Sequence, residues 1–437
     1  MKGWLLIPLL MGSFLGGASA GGAATGYRIE VIAWPGEPGT REAGGVSTWI
    51  GGRLSPGTLN DRGQILFASE WGNGNQELFL AADGEILPVV AVGGEAPGGQ
   101  WRGLLRVAQP GSMNQQGSAA LAVGQPDAGG LRWEATFRWD FATRSTVPVA
   151  REGMPAVYGL SFLPGDQPST PAINNRDEIA FAGFIPDDAG RPRRAFFLAE
   201  PDGAVRLIAL PEQLAHLGET IQPFGSLSVT DQGIVVFQAW RRGDPPLALS
   251  AYEWENGFLT PVVTVGAPAP DGGKLIRVTG VRAGNRSRLT LVAAHLSTHP
   301  DQAGLFFAAH GQLKPVAVPG QTMPGGDRLR TVQETIGSAG PSATFYLSRA
   351  NERGQYAFVA LLENGHQGVY RVDEDGALSL VLKSGTDTDL GRIAAISPGG
   401  YGIGLNSRGQ VAVTLQIQGR PDLLVRLTPE GQAPAQP

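Results

Sequence analysis

Apolar residues along this chain fall in short alternating runs, separated by turn residues at nearly even spacing. A four-residue turn followed by an apolar stretch recurs seven times: Asn60 to Phe67, Asn114 to Leu121, Asn174 to Phe181, Thr230 to Phe237, Gly284 to Leu291, Asn351 to Phe358 and Asn406 to Val413. With the fourth turn residue as a marker (63, 117, 177, 233, 287, 354 and 409), the steps are 54, 60, 56, 54, 67 and 55 residues, with one insertion near Thr331 to Phe345. The second and fourth residues after the marker are apolar in every copy, as in Ile65 and Phe67 or Tyr356 and Phe358. Alternation at period two predicts a strand. The residue between them is uncharged and often Ala (Ala120, Ala180, Ala357, Ala412), which predicts that both faces of this strand are covered.

Each unit continues with a second strand, such as Glu77 to Ala81 or Gly304 to Ala308. Tight turns follow at Asp83-Gly84, Asp202-Gly203, Asn256-Gly257, His310-Gly311 and Asp375-Gly376, then a third strand such as Ile86 to Val92 or Leu259 to Val265. Gly, and often Asn or Asp, accepts the positive φ that short hairpin turns require. A Gly/Pro loop (Gly93 to Gly99) and a weaker fourth strand (Trp101 to Val107) lead to the next marker. Four antiparallel strands per unit and seven units predict an all-β fold, a seven-bladed β-propeller. The chain opens at Tyr27 to Gly39 with the pattern of a third strand and its loop, whereas the last unit stops after its second strand, Asp422 to Leu427. Pairing these N- and C-terminal strands would complete one blade, close the ring and remove an open sheet edge. An open solenoid is the alternative, but it calls for capping units and leaves the complementary ends unexplained. If the post-marker strand is the innermost of each blade, the marker turns stand at one mouth of the central channel.

Composition sharpens this picture. The 64 Gly and 33 Pro among 437 residues supply the turns, while 42% apolar residues argue against a disordered linker. With 34 Lys and Arg against 39 Asp and Glu the net charge is −5, a poor basis for nucleic-acid binding. The absence of Cys excludes disulfides, thiolate metal sites and thiol nucleophiles. Residues 1–20 have the layout of a signal peptide: Lys2, a mainly apolar run from Trp4 to Leu15, and a small-residue site at Ala18-Ser19-Ala20. No other stretch is apolar enough to span a membrane. The expectation is an exported, monomeric protein of the periplasm or the medium, with residues 21–431 forming one propeller domain and 432–437 a disordered polar tail.

The segment Asn351-Glu-Arg-Gly-Gln-Tyr-Ala-Phe-Val-Ala360, with loops such as Val265-Gly-Ala-Pro-Ala-Pro-Asp-Gly-Gly273, resembles the tandem-repeat family of exported bacterial proteins defined by the motif Asn-x-x-Gly-x-x-Ala-Phe-x-Ala. The resemblance covers nearly the whole mature chain. It implies an exported repeat protein and brings no activity with it. Many members carry a C-terminal sorting anchor, which this sequence does not show.

No Gly-x-Ser-x-Gly elbow, P-loop or His-Glu-x-x-His is present. Of the five histidines (His216, His295, His299, His310, His366), His295 and His299 are four apart, but that spacing makes a metal pair only on a helix. Here it leaves a strand before Pro300 and is read as a solvated loop, and His310 as a turn residue. Asp373-Glu-Asp-Gly376, Asp387-Thr-Asp389 and Asp187-Asp188 invite a calcium reading. The Asp375-Gly376 turn explains the first, leaving Asp387 and Asp389 as the better pair. No catalytic residue, metal or cofactor is assigned.

The third residue of each marker turn is Arg62, Gln116, Arg176, Gln232, Arg286, Arg353 or Arg408. Five arginines and two glutamines around a channel mouth would suit anions, because Arg presents a planar fork to carboxylate or phosphate. The alternative is an exposed turn position that tolerates long polar side chains, neutralised by Asp61, Asp231 and Glu352. Arg191, Arg193, Arg194, Arg241, Arg242, Arg328 and Arg330 are read as loop residues in solvent, and Trp101, Trp133 and Trp139 as blade core. The expected function is a non-catalytic binding or scaffold module for a glycan, peptide or protein. The alternative is a propeller-type enzyme acting on a polysaccharide or lactone.

Overall fold

The computed structural model describes residues 26–36, 50–97, 99–101, 106–107, 111–127, 130–165, 170–210, 221–241, 243–244, 248–285, 289–336, 343–397 and 402–431. The expected signal peptide and C-terminal tail lie outside the described residues, as does Arg286. The chain forms seven antiparallel blades in a ring. Blade 1 runs in the order Arg53–Leu59, Ile65–Glu70, Gln76–Ala82 and Glu85–Val90. The other blades repeat it, and the ring closes in blade 7. There Tyr27–Ala33 pairs with Asp422–Pro429, with Tyr27 opposite Pro429 and Val31 opposite Val425.

One expectation is corrected. The strand after each marker is second in its blade, and the innermost is the strand before it, such as Arg53–Leu59 or Leu275–Ala283. The weak fourth strand read in the sequence is therefore the first strand of the following blade: Arg106–Val107 and Ser112–Met113 pair with Ala119–Asp127. Its sequence signal is weak because channel-side positions need not be apolar. The marker turns keep their place at one mouth, now as the link between first and second strands.

Seven apolar clusters hold the ring, one at each junction between neighbouring blades. The post-marker strand feeds two of them: Ile65 and Phe67 face blade 7, while Leu66 faces blade 2. This is why all three positions are uncharged. In four blades the fourth residue after the marker stacks on its cross-strand partner, as Phe67 on Phe79, Phe181 on Phe197, Phe237 on Tyr252 and Phe358 on Tyr370, with ring centroids 5.5–6.1 Å apart. Fully burying each such ring contributes roughly 1.5–3 kcal/mol. Trp101 and Trp139 belong to the core between blades 1 and 2, and the Trp133 side chain lies outside the described residues.

The hairpin turns behave as their residues require. Asp83-Gly84, Asn256-Gly257 and His310-Gly311 each place two successive residues at positive φ, the type I′ geometry that matches strand twist. Asp202 and Asp375 instead cap longer turns by accepting the N–H of Ala204 and Ala377, both at 2.9 Å.

The insertion of the sixth unit is a small hairpin. The innermost strand of blade 6 is interrupted after Gln333 and resumes at Tyr346, since both Gln333 N and Tyr346 O bond to Val359. Between them Glu334–Ile336 pairs with Ala343–Phe345. The hairpin leaves the edge that faces the channel and lies beside Leu275–Ala283 of blade 5.

Candidate functional site at the channel mouth

The marker turn is an Asn-centred loop. In blade 1, Asn60 Oδ1 accepts the N–H groups of Arg62 and Gln64 at 3.1 and 3.0 Å, and Asn60 Nδ2 donates to Gln64 Oε1 at 2.7 Å. Gly63 adopts φ +81°, and a Cβ there would stand 2.7 Å from Arg426 Nη1. Glycine is thus required twice, by backbone conformation and by the neighbouring side chain. Asp177 takes the same position in blade 3 at φ 60°.

The second proton of the Asn amide links the blades. Asn60 donates to Asn114 O at 3.3 Å, Asn114 to Asn174 O at 3.2 Å and Asn174 to Thr230 O at 2.8 Å. Asn351 donates to Asn406 O at 2.9 Å and Asn406 to Asn60 O at 3.0 Å, so the staple runs through the ring closure. Thr230 and Gly284 lack an amide, and the series stops at blades 4 and 5.

A second ring uses the next turn residue. Its N–H donates to the equivalent side chain one blade on: Asp61 to Gln115, Gln115 to Asn175, Asn175 to Asp231, Asp231 to Asn285, Glu352 to Ser407 and Ser407 to Asp61, at 2.6–3.3 Å. Blade 5 to blade 6 is the missing step. There Glu352 Oε1 reaches across the mouth and accepts from Asn175 Nδ2 at 2.7 Å. Burial, reinforced by Asp231 and Asp61, raises the Glu352 carboxyl above its ordinary range, while the Asn175 bond and Arg349 oppose this.

A third set of links comes from the residue two before the turn. Thr58, Ser112 and Ser228 accept the N–H of Met113, Ile173 and Ala283 in the following blade at 3.1, 2.8 and 3.2 Å. The same position is Ala172 in blade 3, Gly404 in blade 7, and arginine in blades 5 and 6, Arg282 and Arg349. Arg349 Nη2 extends to Val229 O of blade 4 at 3.4 Å, and Arg282 Nη1 bonds its neighbour Val281 O at 2.8 Å. Enclosure by protein lowers both guanidinium groups to about 10, with the Arg349 charge adding to the effect on Arg282 and with Asp231 and Glu352 opposing it on Arg349. Both stay cationic at neutral pH. Among the described residues Arg282 Nε and the buried hydroxyl of Tyr356 have no hydrogen-bond partner; burial and then Glu374 raise the Tyr356 hydroxyl above its ordinary range, and Arg282 opposes them.

The arginines expected at the rim stand outboard of these rings and lean over the next blade. Arg62 Nη1 lies 3.4 Å from Gln116 O, and Arg176 pairs with Glu178 at 2.7 Å beside Gly233. Arg408 Nη2 lies beside Gly63, and its Nε and Nη2 are buried without a partner. Arg353 is exposed and faces the acidic turn of Asp373, Glu374 and Asp375. The groups that line the opening itself are the second-position side chains, including Asp61, Asp231 and Glu352.

His295, expected in a solvated loop, is completely buried. Its Nδ1 lies 2.9 Å from Pro300 O and its Nε2 3.2 Å from Arg277 Nη2. A carbonyl accepts and a guanidinium donates, so Nδ1 is placed to donate to Pro300 O and Nε2 to accept from Arg277. Asp187 caps its own turn and pairs with Arg191 at 2.9 Å, and Asp387 pairs with Arg392 at 3.1 Å. Arg241 ends the strand Val235–Arg241 and pairs with Asp244 at 2.9 Å, and Arg328 pairs with Glu363 at 3.8 Å; contrary to the loop reading, Arg193 and Arg194 lie in the strand Pro192–Ala199 and Arg330 in Leu329–Val332.

Among solved structures, the chain is similar to a puromycin-hydrolyzing peptidase of Mycobacterium tuberculosis, with 13% identity and a TM-score of 0.51 over 92% of this chain and 55% of that one. This chain therefore spans little more than half of that peptidase. It also resembles an oligogalacturonate lyase of Vibrio parahaemolyticus (10% identity, TM-score 0.49, 92% and 98% covered) and the BP39L lectin of Burkholderia pseudomallei (13% identity, TM-score 0.41, 85% and 98% covered). At such identities the likeness is one of fold. No curated protein matches the sequence. The profile of one family extends over residues 23–417, and the chain belongs to that family of unknown function, DUF7453.

Proposed function

We propose that this protein is an exported, non-catalytic propeller that binds an acidic ligand, such as an anionic polysaccharide, on the marker-turn face. One observation carries the reading. The first and second turn residues are engaged in holding the ring, while the third is left over by the architecture and presents guanidinium groups beside the mouth. Arg353, Arg408 and Arg62 stand on the consecutive blades 6, 7 and 1. Arg62 and Arg353 are exposed, and Arg408 has donors without partners. Arg176, already neutralised by Glu178, contributes less.

Retention of the mature chain on an acidic glycan matrix tests this. The double variant Arg353→Gln, Arg408→Gln should elute at markedly lower salt than the wild type, and equal retention sinks the proposal. Turnover of the glycan by the wild type would replace it with the enzymatic reading.

A further inference from the structure

We infer that the channel holds a second, internal anion site at the junction of blades 5 and 6, formed by Arg282, Arg349 and the hydroxyl of Tyr356. Its ligand is a small oxyanion, an inorganic sulfate or phosphate or the carboxylate of a sugar acid. The site is separate from the exposed arginines of blades 6, 7 and 1.

The position two before the marker turn is small in five blades, Thr58, Ser112, Ala172, Ser228 and Gly404, and arginine in the two that adjoin each other. On an innermost strand, small residues in five blades leave room in the channel for two long ones. Arg349 uses that room, reaching from blade 6 past blade 5 to Val229 O. On its way to Val229 O, Arg349 lies close enough for its charge to act on Arg282, and among the described residues neither arginine forms an ion pair. Asp231 and Glu352 act on Arg349, whereas Arg282 is acted on by the Arg349 charge and by the Tyr356 phenol, and by no carboxylate among the described residues.

An enclosed cation without a counter-ion is costly, and the usual remedy is a paired anion. Arg282 Nε and the Tyr356 hydroxyl, both buried and unpartnered, are donors of the kind an oxyanion requires. Both arginines keep partial contact with solvent, so a small ion has a way in. Among the described residues, the three sets of marker-turn links are all absent at this one junction, where Gly284 and Arg282 occupy the positions of the linking side chains.

The test is thermal unfolding of the mature chain in chloride, sulfate, phosphate and glucuronate at matched ionic strength. Sulfate or phosphate should raise the wild-type melting temperature saturably by several degrees, and glucuronate alone doing so would assign the site to a sugar carboxylate. Arg282→Gln should fold, melt in chloride at or above the wild-type temperature because a like-charge contact is gone, and lose the anion response. Tyr356→Phe should weaken anion affinity about tenfold, the loss of one hydrogen bond to a charged group. Arg349→Gln is a second test if Arg282→Gln misfolds. The Arg353→Gln, Arg408→Gln variant should keep the full response, which separates this site from glycan retention. No saturable shift with any anion, or a shift that survives in both Arg282→Gln and Arg349→Gln, overturns the inference.

Discussion

The arc from blade 6 through blades 7, 1, 2 and 3 to blade 4 and the junction of blades 5 and 6 come from one repeat, yet different forces close them. Along the arc every junction carries an Asn amide to the next blade's carbonyl. At the junction of blades 5 and 6 the amide is replaced by Gly284, the accepting Thr or Ser by Arg282, and Glu352 turns away to Asn175. Those blades are joined by an apolar core, in which Leu291, Leu305 and Phe307 pack on Leu329, Tyr356 and Phe358, and by polar links away from the marker turns, Ala303 N to Thr331 Oγ1 at 2.9 Å and Lys314 Nζ to Asp375 O at 3.0 Å. The difference teaches that a propeller can release one junction from its polar links at the channel mouth, provided the apolar core and the outer hydrogen bonds there are kept. The released positions are then free to carry charge.

The junction of blades 4 and 5 is intermediate. It lacks the Asn staple but keeps the bonds from Asp231 to Asn285 and from Ala283 to Ser228. A crevice of about 190 Å³, lined by Thr230, Gln232, Glu253, Glu255, Asn285 and Thr290 among others, opens beside the missing amide.

Removing a staple from the arc should have the largest effect. Asn406→Ala strips partners from Asn60 O, Gln410 Oε1 and two turn N–H groups at the ring closure. Each buried group left unsatisfied costs roughly 1–3 kcal/mol, and the effects overlap. A loss of about 3 kcal/mol in urea unfolding is expected. A change below about 0.5 kcal/mol, the level of ordinary surface substitutions, would mean the staples are dispensable and the comparison empty.

Adding a staple where one is missing should have a smaller, opposite effect. Thr230 Oγ1 already accepts from Gln232 and Ile234, as the Asn oxygen does elsewhere. Thr230→Asn keeps that acceptor and supplies a donor toward Gly284 O. The gain should be about 0.5–1.5 kcal/mol, the net value of one hydrogen bond, with the urea midpoint moving up. A downward shift would show that the crevice is strained against closure.

The smallest effect concerns pH. The folded-state pKa of Glu352 is raised, first by burial, so the native state holds this proton where the unfolded chain has lost it. Stability from this group is present at low pH and falls as pH rises from roughly 4.3, the unfolded value, through the elevated folded value. Glu352→Gln keeps an oxygen for Asn175 and removes that fall. Urea midpoints of the variant should therefore decline less than those of the wild type between about pH 4 and 7. Parallel profiles would mean that Glu352 ionises without cost.

Much of the fold was legible locally. Alternation after the marker, the turn Asn and Gly, and the incomplete end units all report covalent and short-range constraints that repeat with the blades. The innermost strand was less legible, because its channel edge relaxes the apolar pattern. The strongest apolar pattern belongs instead to the second strand, Ile65–Glu70 and its equivalents. His295 was misplaced for a related reason: its burial follows from Arg277 on the neighbouring strand and Pro300 across a turn, and neither contact leaves a mark in its own segment. The Arg282 and Arg349 pair did have a sequence signal, two arginines where other repeats have small residues, but it appears only when residues before the marker are aligned as well.

By itself, the sequence determined the number of blades, the strands, their turns and the closure, since each follows from periodicity and from backbone conformations that few residues adopt. The tertiary structure alone decided which strand faces the channel, which turn residues become links and which remain free. Those outcomes depend on what the neighbouring blade presents across each junction, and Asn60 or Arg282 meets that neighbour only when the ring is closed.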